Sequence, residues 1–335
     1  SQMMPMIKET PFNDKTQNNT TLKSWIDDGF LPLIYKGEMM DLSRGRAISR
    51  ENETSHSASA TVMKSLLRLS DAMDESTKAK YKQIVKTSVK SDSSYKQNDY
   101  LSSYSDISKM KSLIEDSTIS TNGLTQQLKI YNDMDRVTYH NKELDFAFGL
   151  SMTSKNVARY ESINGENLKG WHTGAGMSYL YNSDVKHYRD NFWATADMTR
   201  LPGTTTLNDM PSTNTKNDNS FVGGTKFDEQ HASIGMDFEN QDKTLTAKKS
   251  YFILNDKIVF LGTGIKSTDS SKNPVTTIEN RKANGYTLYT DDKQTTNSDN
   301  QENNSVFLES TDTKKNIGYH FLNKPKITAV SYTHL

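Results

Sequence analysis

At 335 residues the chain is long enough for two domains. Its 41 basic and 41 acidic residues cancel, so no overall field draws it to nucleic acid or a membrane surface, and any anion site has to be local. It has no cysteine, which excludes disulfides, thiolate catalysis and cysteine-ligated zinc. No apolar run reaches the roughly 18 residues needed to span a bilayer. Mean hydropathy is −0.78, low for a compact enzyme. Apolar runs nevertheless recur, and three Trp, 16 Tyr and 12 Phe hold the chain above the disordered class.

The first third has helical periodicity. Leu22, Trp25, Ile26 and Phe30 fall on one face of a helix. Val62, Leu66, Leu69 and Met73 form the apolar stripe of another. Tyr81, Ile84, Val85 and Val89 form a third stripe, and Ile107, Met110, Leu113 and Ile114 a fourth. Polar linkers such as Asp74-Glu75-Ser76 and Ser91-Asp92-Ser93-Ser94 separate them. Antiparallel helices with short connections predict a bundle or an α/α toroid over residues 1–122, with no strand pairing between 20 and 115.

Beyond residue 122 the period shortens to two. Residues 136–139, 146–150 and 157–160 are predicted strands. Ala232, Ile234, Met236 and Phe238 alternate with other residues, as in a half-buried strand. Residues 250–254 and 258–261 flank Asn255-Asp256-Lys257 and predict a hairpin. Residues 286–289, 306–308 and 317–322 follow as strands, while 204–218 and 290–304 have loop composition. The predicted fold class is therefore α+β multidomain, with a helical region followed over 123–335 by a large antiparallel β-sandwich.

Four segments concentrate residues able to do chemistry. Arg44, Arg46 and Arg50 place three guanidiniums within seven residues; a helical turn would put Arg46 and Arg50 on one face. Guanidiniums bind carboxylates in a fork and keep their charge. Glu161 could lock such a fork, and Asn164 could donate to a carboxylate or sugar hydroxyl. Trp193 and Arg200 lie in an aromatic, Pro- and Gly-containing loop over 193–205 that could offer stacking surface to a pyranose ring, and Asn182 ends the segment that begins at Gly170. Together these suggest a site for a glycan bearing carboxylates. None of the seven histidines has metal-site spacing, and each is expected at the surface or in a local hydrogen bond. No phosphate-binding loop, dinucleotide motif, HExxH or Gly-x-Ser-x-Gly is present.

In order and spacing these segments resemble polysaccharide lyase family 8, its secreted hyaluronate lyases most. The resemblance runs from residues 38–50 through Gly170-Trp171, Tyr179-Leu180-Tyr181-Asn182 and the 198–205 stretch to 305–310 and 314–319. It implies the end of an α/α toroid joined to a truncated β-sandwich. It also implies a lyase, needing no cofactor, that cleaves hyaluronan or a related uronate-containing glycosaminoglycan by β-elimination. The implied roles fall on Arg46 and Arg50 beside the catalytic cleft and on Glu161 and Asn164 from the β region, with Arg44, Asn182, Trp193 and Arg200 as ligand contacts. The family's catalytic Asn, His and Tyr belong to toroid helices before Ser1. The chain is thus expected to be an internal segment of a secreted, monomeric, extracellular enzyme, whose signal peptide lies in the missing N-terminal part. Residues 331–335 do not look like a family continuation. The alternative reading is a non-catalytic surface module that binds acidic glycan.

Overall fold

A computed structural model describes residues 3–11, 17–212, 216–283 and 285–330. The expectation for 331–335 lies outside the described residues.

The helical part opens with α1 (Met3–Ile7) and α2 (Gln17–Ser24), which runs into a π-helical turn, Trp25–Phe30. It continues with α3 (Ser55–Ser70), α4 (Glu75–Lys90) and α5 (Tyr104–Glu115). Each long helix starts on a side-chain cap. The Thr54 hydroxyl accepts from the Ser57 amide at 3.1 Å, Asp74 from Thr77 at 2.9 Å, and Ser103 from Asp106 at 3.2 Å. The predicted stripes point inward at Leu66, Leu69, Met73, Tyr81, Val85 and Val89, with Met63 joining them. The first stripe fails. Only Ile26 is buried, whereas Trp25 is 65% and Phe30 48% exposed, because the π-helical turn breaks the 3.6-residue spacing on which that face depended. The expectation of no pairing between 20 and 115 also fails. Two-residue strands β1 (Ile34–Tyr35) and β2 (Glu38–Met39) pair through Lys36 and Gly37, which both have positive φ, as a tight hairpin turn requires.

The first sheet is antiparallel in the order β3 (Gln127–Tyr131), β4 (Arg136–Asn141), β5 (Phe146–Ser151), β6 (Met177–Tyr181). After β7 (Thr205–Thr206), a second antiparallel sheet runs through β8 (Val222–Lys226), β9 (His231–Glu239), β10 (Leu245–Leu254) and β11 (Lys257–Ser267). The predicted hairpin is β10–β11, turning at Asn255-Asp256. Strand β12 (Val275–Thr276) pairs with β7. A third sheet joins β13 (Thr287–Thr290), β14 (Lys293–Thr295), β16 (Ser305–Glu309) and β17 (Ile317–His320). Beside it β15 (Ser298–Glu302) pairs with β18 (Lys326–Ala329).

Three segments differ from expectation. Residues 157–160 form a packed turn, not a strand. There the Arg159 guanidinium donates to the carbonyls of Glu239, the last residue of β9, and of Asn240 just after it, and side-chain bonding replaces a ladder. Residues 290–304 contain β14 and β15, outer strands whose polar sequence shows no alternation because they bury little. In 204–218, Thr204, Thr205, Thr206 and Leu207 are buried and include β7.

The first sheet buries both faces. Phe148, Leu150, Val137, Tyr139 and Leu128 meet Ile234, Met236, Phe238, Tyr251 and Ile253 of the second sheet. Ala147, Met177, Tyr179 and Tyr181 belong instead to the core that contains Met40, Leu42, Met63 and Leu66. Gly149 lets the two parts close, since a Cβ there would overlap the Leu42 side chain.

Arg189 ties the same junction. Its guanidinium pairs with Glu38 at 2.9 Å and Asp92 at 2.8 Å, and donates to the Ser94 hydroxyl at 2.7 Å. Both carboxylates are buried. Burial drives the Glu38 carboxyl up to about 8 against the pull of Arg189, with Asp41 and Asp92 adding to the rise. Removing one partner of a buried charge group strands the other. Arg189→Ala should therefore cost roughly 3–5 kcal/mol in denaturant unfolding. A loss below about 1 kcal/mol would show that the cluster is not a structural tie.

Candidate functional site

The three arginines lie on and beside a 3-10 turn, Gly45–Ser49. Gly45 has φ +54, which strains any side chain, and a Cβ there would displace the flexible carboxylate end of Glu161. Facing the turn is the loop over 161–170. Asn164 and Gly165, both at positive φ, reverse its direction. The loop holds its own shape through Ser162 Oγ donating to the Glu166 carbonyl and Asn167 Nδ2 donating to the Glu161 carbonyl, each at 2.9 Å. It is tied to the turn by the Asn167 amide donating to Ser49 Oγ at 3.0 Å.

Two carboxylates of this loop hold two guanidiniums. Glu161 accepts from the Arg46 amide at 2.9 Å and from Arg46 Nη1. Glu166 accepts from Arg46 Nε at 2.5 Å, Arg50 Nε at 2.7 Å and Arg50 Nη2 at 3.0 Å. Arg50 Nη1 donates to Glu53 at 2.8 Å. The forks converge although the turn is 3-10 and Arg50 itself is extended; a shared carboxylate brings them together, not a common helix face. The Arg50 and Arg46 bonds hold the Glu166 carboxyl at about 2, while Glu166 and Glu53 push the Arg50 guanidinium further up.

A family profile described as the polysaccharide lyase family 8 super-sandwich domain matches residues 126–333, and that of the family's N-terminal α-helical domain matches 1–87. The chain belongs to polysaccharide lyase family 8. A Staphylococcus aureus hyaluronate lyase is 88% identical over the whole of this chain, which spans 42% of that protein. A Bacillus xanthan lyase is 35% identical over 84% of this chain and 30% of its own length. The chain thus spans less than half the length of these relatives. Among solved structures, a Paenibacillus xanthan lyase superposes with a TM-score of 0.91 at 36% identity, over 97% of this chain and 32% of that one. A Streptomyces coelicolor chondroitin AC lyase, solved with chondroitin sulphate, shares the fold with a TM-score of 0.79 at 24% identity, over 92% of this chain and 42% of that one.

Within this lyase fold the other singled-out residues divide, with Arg44, Trp193 and Asn182 held by internal partners and Asn164 and Arg200 exposed. Asn164 is exposed at the loop tip and makes no side-chain hydrogen bond among the described residues. The Arg44 guanidinium is buried, donating to Asp41 at 2.8 Å and to the Glu53 carbonyl at 2.7 Å. Half-buried Trp193 donates to the other Asp41 oxygen at 2.8 Å and packs on Tyr188 and Phe192. Asn182 is buried and donates to the Lys315 carbonyl at 2.8 Å, fastening β6 to the third sheet. Arg200 is exposed, 3.7 Å from Asp197. His56, His140, His172 and His187 are buried; the first three keep hydrogen-bond or ion-pair partners, and only the His187 ring, buried with no hydrogen-bond partner among the described residues, departs from expectation. Burial takes the His140 imidazole down to about 4.

Glu38, His56 and Asp92 form the one trio among the described residues with ligand atoms within 4.8 Å of one another. Arg189 pairs with both carboxylates and already supplies positive charge there.

Glu166, which bridges Arg46 and Arg50, is not among the residues singled out from the sequence. Its signal was an acidic side chain five residues after Glu161 with an Asn-Gly turn between, which folds the second carboxylate back toward the first. Because its folded value lies below 4.5, its contribution is present above the unfolded value and is lost as pH falls through about 2. The Glu166 carboxyl should therefore stay ionised at pH 4 by carbon-detected NMR; protonation near pH 4.5 would mean that the two arginines do not hold it. Gly45→Ala should displace Glu161 from Arg46. An unchanged Arg46 amide resonance in that variant would contradict the close approach.

Proposed function

We propose that this chain is the junction segment of an extracellular, monomeric lyase that cleaves hyaluronan, with chondroitin as the second uronate glycan, by β-elimination. The observation that supports it is the Arg46–Arg50 pair held on Glu161 and Glu166 where helices meet sheet. A proton next to a uronate carboxylate is weakly acidic. Cationic donors at that carboxylate stabilise the charge that builds as the proton leaves. Arg46 and Arg50 serve as those donors, Glu161 and Glu166 fix their forks, and Asn164 at the loop tip reaches toward ligand. The eliminated glycosidic oxygen takes a proton, and the product is an unsaturated uronate.

On this reading the proton-abstracting group is supplied from outside these residues. Among the described residues, no histidine hydrogen-bonds to Arg46, Arg50, Glu161 or Glu166. That observation also favours a second reading, in which the chain acts as an acidic-glycan-binding module.

The ultraviolet absorbance of the unsaturated uronate separates the two. Purified alone, the chain should give no turnover of hyaluronan, since positioned base catalysis supplies roughly 10²–10⁴-fold. A longer protein containing it together with the preceding helices should turn over, and Arg50→Ala there should lower kcat/KM by about 10²-fold. No turnover by the longer protein would leave the binding module. Turnover by the chain alone would place the base within these residues.

A further inference from the structure

Every nitrogen of the Arg50 guanidinium already faces a carboxylate, with one hydrogen left over on each Nη. Glu166 takes Nε and Nη2, and Glu53 takes Nη1. On Arg46, Glu166 takes Nε and Glu161 takes Nη1, leaving Nη2 without a partner among the described residues. Three carboxylates therefore face two guanidiniums, and the cluster carries one more negative charge than positive. An incoming carboxylate therefore meets net repulsion and finds only one guanidinium nitrogen, Arg46 Nη2, that no carboxylate among the described residues already shares.

The three glutamates are not equally held. Glu166 makes three charge-assisted bonds and bridges both arginines. Glu161 makes two, one of them to a backbone amide, from a loop fastened to the turn through Asn167 and Ser49. Glu53 makes a single side-chain bond, to a residue three positions back in sequence, and its side chain is half exposed. Such a pair contributes little and is easily given up. Its main chain is anchored all the same: the Glu53 carbonyl accepts from Arg44 at 2.7 Å, and the next residue, Thr54, caps α3. The Glu53 side chain can swing into solvent with no movement of the backbone.

We propose that Glu53 is a resident carboxylate standing where an acidic ligand binds Arg50. It leaves when the ligand's carboxylate arrives, while Glu161 and Glu166 remain and hold the pair. The proposal deepens the acidic-glycan reading and rests on it for the identity of the ligand. It makes Glu53 a gate on affinity: an uncharged or cationic ligand gains nothing from the exchange, whereas a carboxylate replaces a half-exposed one on Arg50 and gains the free Nη2 of Arg46.

The test uses the 335-residue chain with nitrogen-15-labelled arginine, titrated with sodium glucuronate while the Arg46 and Arg50 Nε resonances are followed. Glu53→Gln should bind glucuronate about two- to fivefold more tightly than wild type, the range expected for removing an exposed competing pair. Glu166→Gln should weaken binding, and Glu75→Gln, an exposed control on α4, should leave it unchanged. Thermal midpoints check folding; if Glu166→Gln unfolds, the Glu53→Gln ranking alone decides.

Equal or weaker binding by Glu53→Gln, or no shift of either arginine in any variant, overturns the exchange. A second arm repeats the series with a hyaluronan decasaccharide against an uncharged chitin oligosaccharide. The same ranking on hyaluronan supports both readings. Should the glucuronate ranking hold while hyaluronan binds no better than the neutral oligosaccharide, the carboxylate exchange stands and the glycan assignment falls.

Discussion

The constraint on which the rest of the molecule depends is that one four-stranded sheet is buried on both faces. Strands β3 to β6 give Phe148, Leu150 and Val137 to the sandwich core and Ala147, Met177, Tyr179 and Tyr181 to the core shared with the helices. Neither core closes without this sheet. Burial on both faces also fixes register, because a slip of one residue would exchange the two sets of side chains. The segments beside this wall inherit its precision. Residues 40–50 lie against it through Met40 and Leu42, and the 161–170 loop rises from the connection between β5 and β6. The arginine pair and its glutamates therefore meet across a fixed separation and need no hinge.

Charge is handled in two different ways at this junction. Around Arg189 it is enclosed: Glu38, Asp92 and His56 are buried, and the guanidinium is spent on holding the parts together. Around Arg46 and Arg50 it is partly open, with side chains about one-third exposed and carboxylates between one-third and one-half exposed. The first arrangement suits structure, because stranding a buried charge is costly. The second suits ligand exchange, because an exposed pair is weakly held.

Much of this was legible in the sequence. The stripes of α3 and α4, the Met110 and Leu113 part of the α5 stripe, the alternation of β9 and the β10–β11 hairpin follow directly from apolar period and turn chemistry, while Ile107 at the start of α5 stays exposed. Arg46, Arg50 and Glu161 were legible as a set because their residue types and spacing resemble a family pattern. What was not legible had physical causes. The π-helical turn at Trp25–Phe30 changes the period without changing composition. Strands β14 and β15 bury little, so no hydrophobic pattern marks them. Glu166 reads as one more acidic loop residue until the positive φ of Asn164 and Gly165 folds it back. Arg44 and Arg46 look alike in sequence, yet one lies buried on Asp41 and the other faces outward. Only the 3-10 turn separates them.

Gly149 has a consequence for substitution. The missing side chain lets Leu42 touch the sheet, and Leu42 lies only two residues before Arg44 in a stretch with no long helix to absorb movement. A close-packed interior transmits strain, so any side chain at 149 would press on Leu42 and Met40. That push would travel along four residues of main chain to Arg46. A change buried in the wall between the two cores would thus be felt at the guanidinium pair.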